Sequence, residues 1–199
     1  QTLNNSVPLK TVHNEEKKDL PPSLQEKIPK TYSISFVGDV IIHERLRTRE
    51  EKHKEGYNVL WSAVQKYFDQ ADLSYANLEG PVAPDLGKPS GFPQFNFPER
   101  ILPSLKEAGI DVVSTANNHA LDKGAKGIRS TIKNLKKHKI SHTGTISSSQ
   151  ALQQGKENWW SISQLGDKKI AWISCTEMTN GIKDKENLVL YCFKDIEKV

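Results

Sequence analysis

At 199 residues, 36% hydrophobic and 26% charged, the chain has the size and balance of one globular domain with a tail. No window approaches the roughly 18 consecutive apolar residues that cross a bilayer. The formal charge of +4, from 28 basic against 24 acidic residues, is too even a balance to mark a nucleic-acid-binding face.

The first residue is Gln1, which allows two readings, a removed export signal or anchor and a piece of a longer chain; composition does not separate them. Residues 1–31 carry four of the ten prolines, in VPLK, LPPS and IPK, mixed with EEKKD and without helical or strand period. They read as a flexible linker or arm, with the domain expected over 32–199. The segment YSISFVG, hydrophobic and β-branched and bounded by Gly38, predicts a buried strand. Val59, Leu60, Ala63, Val64, Tyr67 and Phe68 recur at helical spacing and predict a helix over about 57–69. A short strand, ADLSYA, follows and ends at Asn77. The Gly- and Pro-rich loop from Glu79 to Pro98 carries Phe92, Phe95 and Phe97, placed either to border a groove or to cover the sheet edge.

ERILPSLKEAG predicts a helix over about 99–108 stopped by Gly109, IDVVSTA a strand, and 124–138 a second long helix leading to KISHTG. This alternation predicts a layered α/β sandwich with a partly parallel sheet. WWSISQL and KKIAWISC around Gly166-Asp167 add an antiparallel hairpin. NLVLYCF is expected as a last strand running into KDIEKV, a helical turn too short to bury a face, so the final element reads as cut. Cys175 and Cys192 each sit in an apolar run and are expected to pack as small hydrophobes; a disulfide is open to them but not implied. The basic stretch KNLKKHK reads as a solvated helix face, and Trp159 and Trp160 as packing residues.

In open α/β sheets, ligands collect beyond the carboxyl ends of the strands. Asp39 follows the first strand, Asn77 and Glu79 the second, and Asn117, Asn118 and His119 the third. Oxygen and imidazole donors delivered to one edge by three strands suit a divalent-metal site. Taken singly, each has a plainer use: Asp39 as a turn former or cap, the asparagines and Glu79 as loop residues, His119 as a structural histidine. The coincidence at three strand ends carries the site.

The segments GDVIIHERL, ADLSYANLEGPV and AGIDVVSTANNHALDKGAKGIRSTIKNLKKHKISHTG resemble, in order, the GDV, NLE and ANNHxxDxG blocks of the CapA family of bacterial capsule (poly-γ-glutamate) synthesis proteins. LGDKKIAWISCTEMTNG resembles that family's next hairpin, and ANNHALDKG is the most distinctive block. The resemblance runs from about Tyr32 onward and implies a calcineurin-like metallophosphoesterase fold. By similarity, Asp39 would hold or bridge divalent ions (manganese, zinc or iron), Glu79 would stand where that superfamily usually has a second bridging Asp, and Asn118 would be the metal-binding Asn. His119 would be the general acid, and Asp122 either orients it or caps the following helix. His43, Asn77 and Asn117 are secondary candidates. Two ions about 3.5 to 4 Å apart would activate a water for attack on a phosphoester or activated amide.

Two departures matter. The superfamily's DxH pattern would place a His at position 41, which is Ile41, and the later HWGxEY-like and HPH-like segments of full CapA-type domains are not found. This stretch alone is therefore expected to hold part of one metal site and to be inactive by itself. The resemblance further implies a protein outside the cytoplasmic membrane, anchored or secreted, that handles an anionic polymer such as poly-γ-glutamate beside membrane-bound capsule machinery, with no nucleic acid. Two alternatives stand beside it, a metal-dependent hydrolase unrelated to capsule and a binding module without chemistry.

Overall fold

Four strands, β1 (Ile34–Val40), β2 (Leu73–Leu78), β3 (Val112–Ser114) and β4 (Ser141–Thr143), pair in parallel and in chain order in the computed structural model. It describes residues 30–195 and 197. The linker expected over 1–31 lies, but for its last two residues, outside them, as do three residues of the helical turn expected at KDIEKV.

Parallel neighbours need crossovers, and these carry α1 (Glu44–Glu50), α2 (Gln65–Phe68), α3 (Ile101–Glu107) and α4 (Gly124–Lys137). A fifth helix, α5 (Ser149–Gln153), is N-capped by the Ser148 hydroxyl, which accepts from the Ala151 N–H at 3.2 Å. Beyond it β5 (Trp160–Leu165) and β6 (Lys168–Ile173) form the antiparallel hairpin, turning at Gly166 with φ +59. The fold is thus a layered α/β arrangement with a parallel sheet and a hairpin, as the motifs predict.

The interior strands are the buried ones. β2 alternates, with Ser74, Ala76 and Leu78 inward, and all of β3 is buried. Against them α3 sets Ile101, Leu102 and Leu105, joined by Phe68, Ile110 and Leu135. A second cluster joins Ile128 and Ile132 of α4 to Trp159, Ile146 and the extended run Leu188, Val189 and Leu190. α3 ends where expected: Gly109 sits at φ +103 and the Ile110 N–H reaches back to the Leu105 carbonyl at 3.0 Å.

Four expectations are corrected. β1 is an edge strand rather than a buried one, with Phe36 66% exposed, because among the described residues only β2 pairs with it. The helix expected over 57–69 divides into a 3-10 turn (Gly56–Leu60) and the four-residue α2. Tertiary bonds to α3 override the helical period there: Trp61 Nε1 donates to Ser104 Oγ at 2.8 Å and Asn58 Nδ2 to Glu107 at 2.6 Å. NLVLYCF makes isolated bridges, Val189 to Thr145 and Tyr191 to Thr176, rather than a strand.

The fourth concerns the thiols: Cys175 and Cys192 form a disulfide instead of packing free. Thr176 N–H bonds Leu190 O and Cys192 N–H bonds Thr176 O, which sets the two Cα atoms 5.0 Å apart. That pairing is non-local, so spacing alone does not reveal it. Closing a loop across a sequence separation of 17 stabilises by about 3 kcal/mol. The double Cys175→Ser, Cys192→Ser variant should lose about that much in urea unfolding; a loss below about 1 kcal/mol contradicts it.

On β4 the His142 ring is held down to a pKa of about 4, first by burial and then by the nearby Lys136 charge. An unfolded-chain histidine takes its proton near 6.5, so the folded state binds fewer protons between those values. Stability is therefore complete above about pH 6.5 and falls by about 2 to 3 kcal/mol as pH drops toward 4. His142→Gln should flatten that part of the stability profile; an unchanged acid limb would refute the assignment.

Candidate functional site

The strand register builds the site. Across the sheet Asp39 lies opposite Asn77, Asn77 opposite Ser114, and Ser114 opposite Thr143, a row at the carboxyl ends. Asp39 reaches that row through a register shift: between Phe36 and Asp39 β1 carries one residue more than β2. Gly38 lies inside the irregularity, a residue type that commonly marks such bulges.

Asn77 Nδ2 donates to Asp39 Oδ1 at 2.8 Å and lies 3.4 Å from Glu79 Oε2, tying the two carboxylates into one cluster. Asn117 continues the chain: its Nδ2 donates to Asn77 Oδ1 (3.1 Å) and to the Leu78 carbonyl (2.9 Å), and its Oδ1 accepts from the His119 N–H (3.1 Å). The Glu79 pKa is pushed up to about 7, chiefly by burial, with a shared hydrogen bond to Asp39 and the Asp39 charge adding to it. Two carboxylates this close favour either a proton or a cation between them.

The block after β3 folds into tight turns before α4, and this sets His119 and Asp122 together. His119 Nδ1 meets Asp122 Oδ2 at 2.8 Å in a contact whose carboxylate is 1% exposed. The same oxygen accepts the Phe95 N–H at 2.7 Å. Asp122 is not a helix cap, since the N-cap position of α4 is Lys123 with no side-chain cap bond. Phe95 stands between two imidazoles, edge-on to His119 at 4.7 Å and to His43 at 5.4 Å. The loop expected at the sheet edge therefore buries Phe95 and Phe97 and leaves Phe92 exposed.

Asn118 meets a residue from outside the three strand ends. Its Nδ2 lies 3.4 Å from Asn180 Oδ1, and both line a cavity of about 450 Å³ with His119, Asp122, Phe92 and Ile182. Asn180 is the residue that sequence reasoning missed. It sits at φ +48 before Gly181 at φ +76, so the signal was the Asn-Gly turn of TNG.

The donor set fits a hard divalent cation better than zinc. The converging atoms are carboxylate oxygens, the Asn77 and Asn117 amides are engaged with each other and with backbone, and His119 Nδ1 is committed to Asp122. Among the described residues no group of three or more His, Cys, Asp or Glu forms a metal cage. The geometry is a pair of carboxylates joined through Asn77, beside a histidine held by Asp122.

The parallel sheet with its antiparallel hairpin defines a layered α/β protein, consistent with a metallophosphoesterase-like fold. Residues 33–194 match the family model "Bacterial capsule synthesis protein PGA_cap", and the chain belongs to that family. It is 30% identical over 142 residues to the uncharacterized protein y4sH of Sinorhizobium fredii, covering 67% of this chain and 29% of the relative. It is 28% identical over 116 residues to the capsule biosynthesis protein CapA of Bacillus anthracis (56% of this chain, 28% of the relative). The PGA biosynthesis protein CapA of Bacillus subtilis is 26% identical over 122 residues (58% and 32%). The chain spans about a third of the length of these curated relatives.

Proposed function

We propose that the protein serves capsule synthesis as a CapA-type factor that handles poly-γ-glutamate outside the cytoplasmic membrane, with a divalent cation held by Asp39 and Glu79. The observation that carries this is the Asp39–Glu79 pair at adjacent strand ends beside a histidine fixed by Asp122. The names of the two Bacillus relatives support the capsule role. The Cys175–Cys192 disulfide supports an oxidising compartment and so the extracytoplasmic setting.

A bound cation would supply charge neutralisation and Lewis acidity at an ester or amide oxygen. The chain's own residues do the rest. Asp122 accepts from Nδ1–H of His119, which leaves Nε2 as the atom that exchanges a proton with a leaving group. Asn117 fixes the backbone of that turn, and Phe92 and Ile182 give the cavity apolar walls. Binding without chemistry is favoured by one observation, the engagement of both amides within the protein.

The test uses the intact protein dialysed against manganese, zinc or iron, with metal content measured directly. Wild type should retain metal, and Asp39→Asn and Glu79→Gln should each lose most of it. Retention with cleavage of a phosphodiester or of poly-γ-glutamate supports the hydrolase; retention with polymer binding alone supports the binding module. No metal uptake by the wild type sinks the cation site.

A further inference from the structure

A separate cavity of about 420 Å³ opens beside β4 and shares no lining residue with the site above. Its origin is a strand junction that closes at one end only. Ser141 and Thr143 spend their ladder bonds on the β3 side, through Ser141 N–H to Asp111 O and Thr115 N–H to Thr143 O. The alternate residue, His142, therefore presents its backbone groups to the outer edge. There the hairpin is tied at the Thr143–Gly144 end: Gly144 N–H and the Thr143 hydroxyl both bond the Trp159 carbonyl, and the same hydroxyl lies 3.1 Å from the Trp172 carbonyl. The gap between Ser141–His142 and Trp160–Ser161 is the cleft.

Its walls are rich in donors and poor in free acceptors. Lys136, Lys139 and Lys156 line it, against the single carboxylate of Glu157. Glu157 is already occupied, accepting from Ser147 N–H (2.9 Å), Ser147 Oγ (2.6 Å) and Ser148 N–H (3.0 Å), with Lys136 Nζ no nearer than 3.9 Å. Lys139 and Lys156 have no ion-pair partner among the described residues. The Trp160 indole, also in the wall, offers a flat apolar side.

We propose that this cleft binds a segment of a polycarboxylate chain, with Lys139 and Lys156 pairing its carboxylates and Trp160 flanking its methylenes. The proposal rests on the poly-γ-glutamate reading for the chemistry of the chain and is independent of the cation site. It gives the protein a holding site for the polymer on a flank of the sheet away from His119.

The test is calorimetric titration of the intact, metal-free protein with a γ-linked oligoglutamate, and with tripolyphosphate as the phosphate arm, at low and physiological salt. Lys139→Gln with Lys156→Gln should weaken oligoglutamate binding about tenfold, and Trp160→Ala several-fold. Lys126→Gln with Lys133→Gln removes the same charge from exposed positions of α4 and should leave affinity within about twofold. Equal weakening by that control pair, or tighter binding of tripolyphosphate than of oligoglutamate, overturns the proposal. If oligoglutamate binds but only Asp39→Asn or Glu79→Gln abolishes it, the cleft is refuted while the capsule reading stands. No binding by any form refutes both.

Discussion

An alanine at position 144 is expected to destabilise the protein by about 4 kcal/mol. Gly144 adopts φ +91, a backbone region that costs an L side chain about 1 to 3 kcal/mol. An added Cβ would stand 2.3 Å from Ser174 Oγ, 2.5 Å from Ala116 Cβ and 2.8 Å from the Ser174 carbonyl, and overpacking of that kind adds about 1 to 3 kcal/mol. Neither penalty can be relieved by a small shift. Gly144 N–H is bonded to Trp159 O and its carbonyl to Leu190 N–H, so this one residue joins β4 to the hairpin and to the 188–190 run. Gly155→Ala is the control, since Gly155 has φ +67 but nothing within 4 Å of the added carbon, and it should lose only about 1 kcal/mol. Denaturant midpoints of the two variants decide it; equal losses would show that the joint yields.

The parts of the fold that sequence made legible are those set by local chemistry. Gly166-Asp167 between alternating runs marked the hairpin, Gly109 stopped α3, and apolar spacing marked α4. The site residues were legible for a related reason: polar groups placed directly after apolar runs fall at strand ends, and Asp39, Asn77, Glu79 and Asn117 do meet there. What was hidden depends on distant partners. The exposure of Phe36 follows from sheet order, the Cys175–Cys192 bond from a bridge near Thr176, and the approach of Asn180 to Asn118 from the turn after β6. The exact aim of Asp39 was also hidden, because it depends on a one-residue shift that an apolar run does not announce.

Truncating Asp122 to alanine should remove about 3 to 5 kcal/mol of stability and release His119 at the same time. Oδ2 takes two donors, the Phe95 N–H at 2.7 Å and His119 Nδ1 at 2.8 Å, from a side chain almost sealed from water. Without it the Phe95 N–H is left buried and unpaired, and losing one partner of a buried polar or charged pair falls in that range. Phe95 is itself fully buried and packs edge-on to His119, so the loop and the imidazole loosen together. Asp122→Asn keeps the shape, but its neutral oxygen in the Oδ2 place accepts the same two donors more weakly than a carboxylate, so about 1 to 3 kcal/mol should go. Its diagnostic effect is on the ring, because a neutral amide oxygen holds the Nδ1–H less firmly than a carboxylate and lets the tautomer with the proton on Nε2 gain population. Nitrogen chemical shifts of His119 read that change directly, and an unchanged tautomer would refute the coupling. Asp122→Ser separates this role from helix capping. A serine is a good capping residue type but is too short to reach both partners, so it should restore neither the stability nor the tautomer, and full rescue by serine would contradict the Phe95–His119 bridging role.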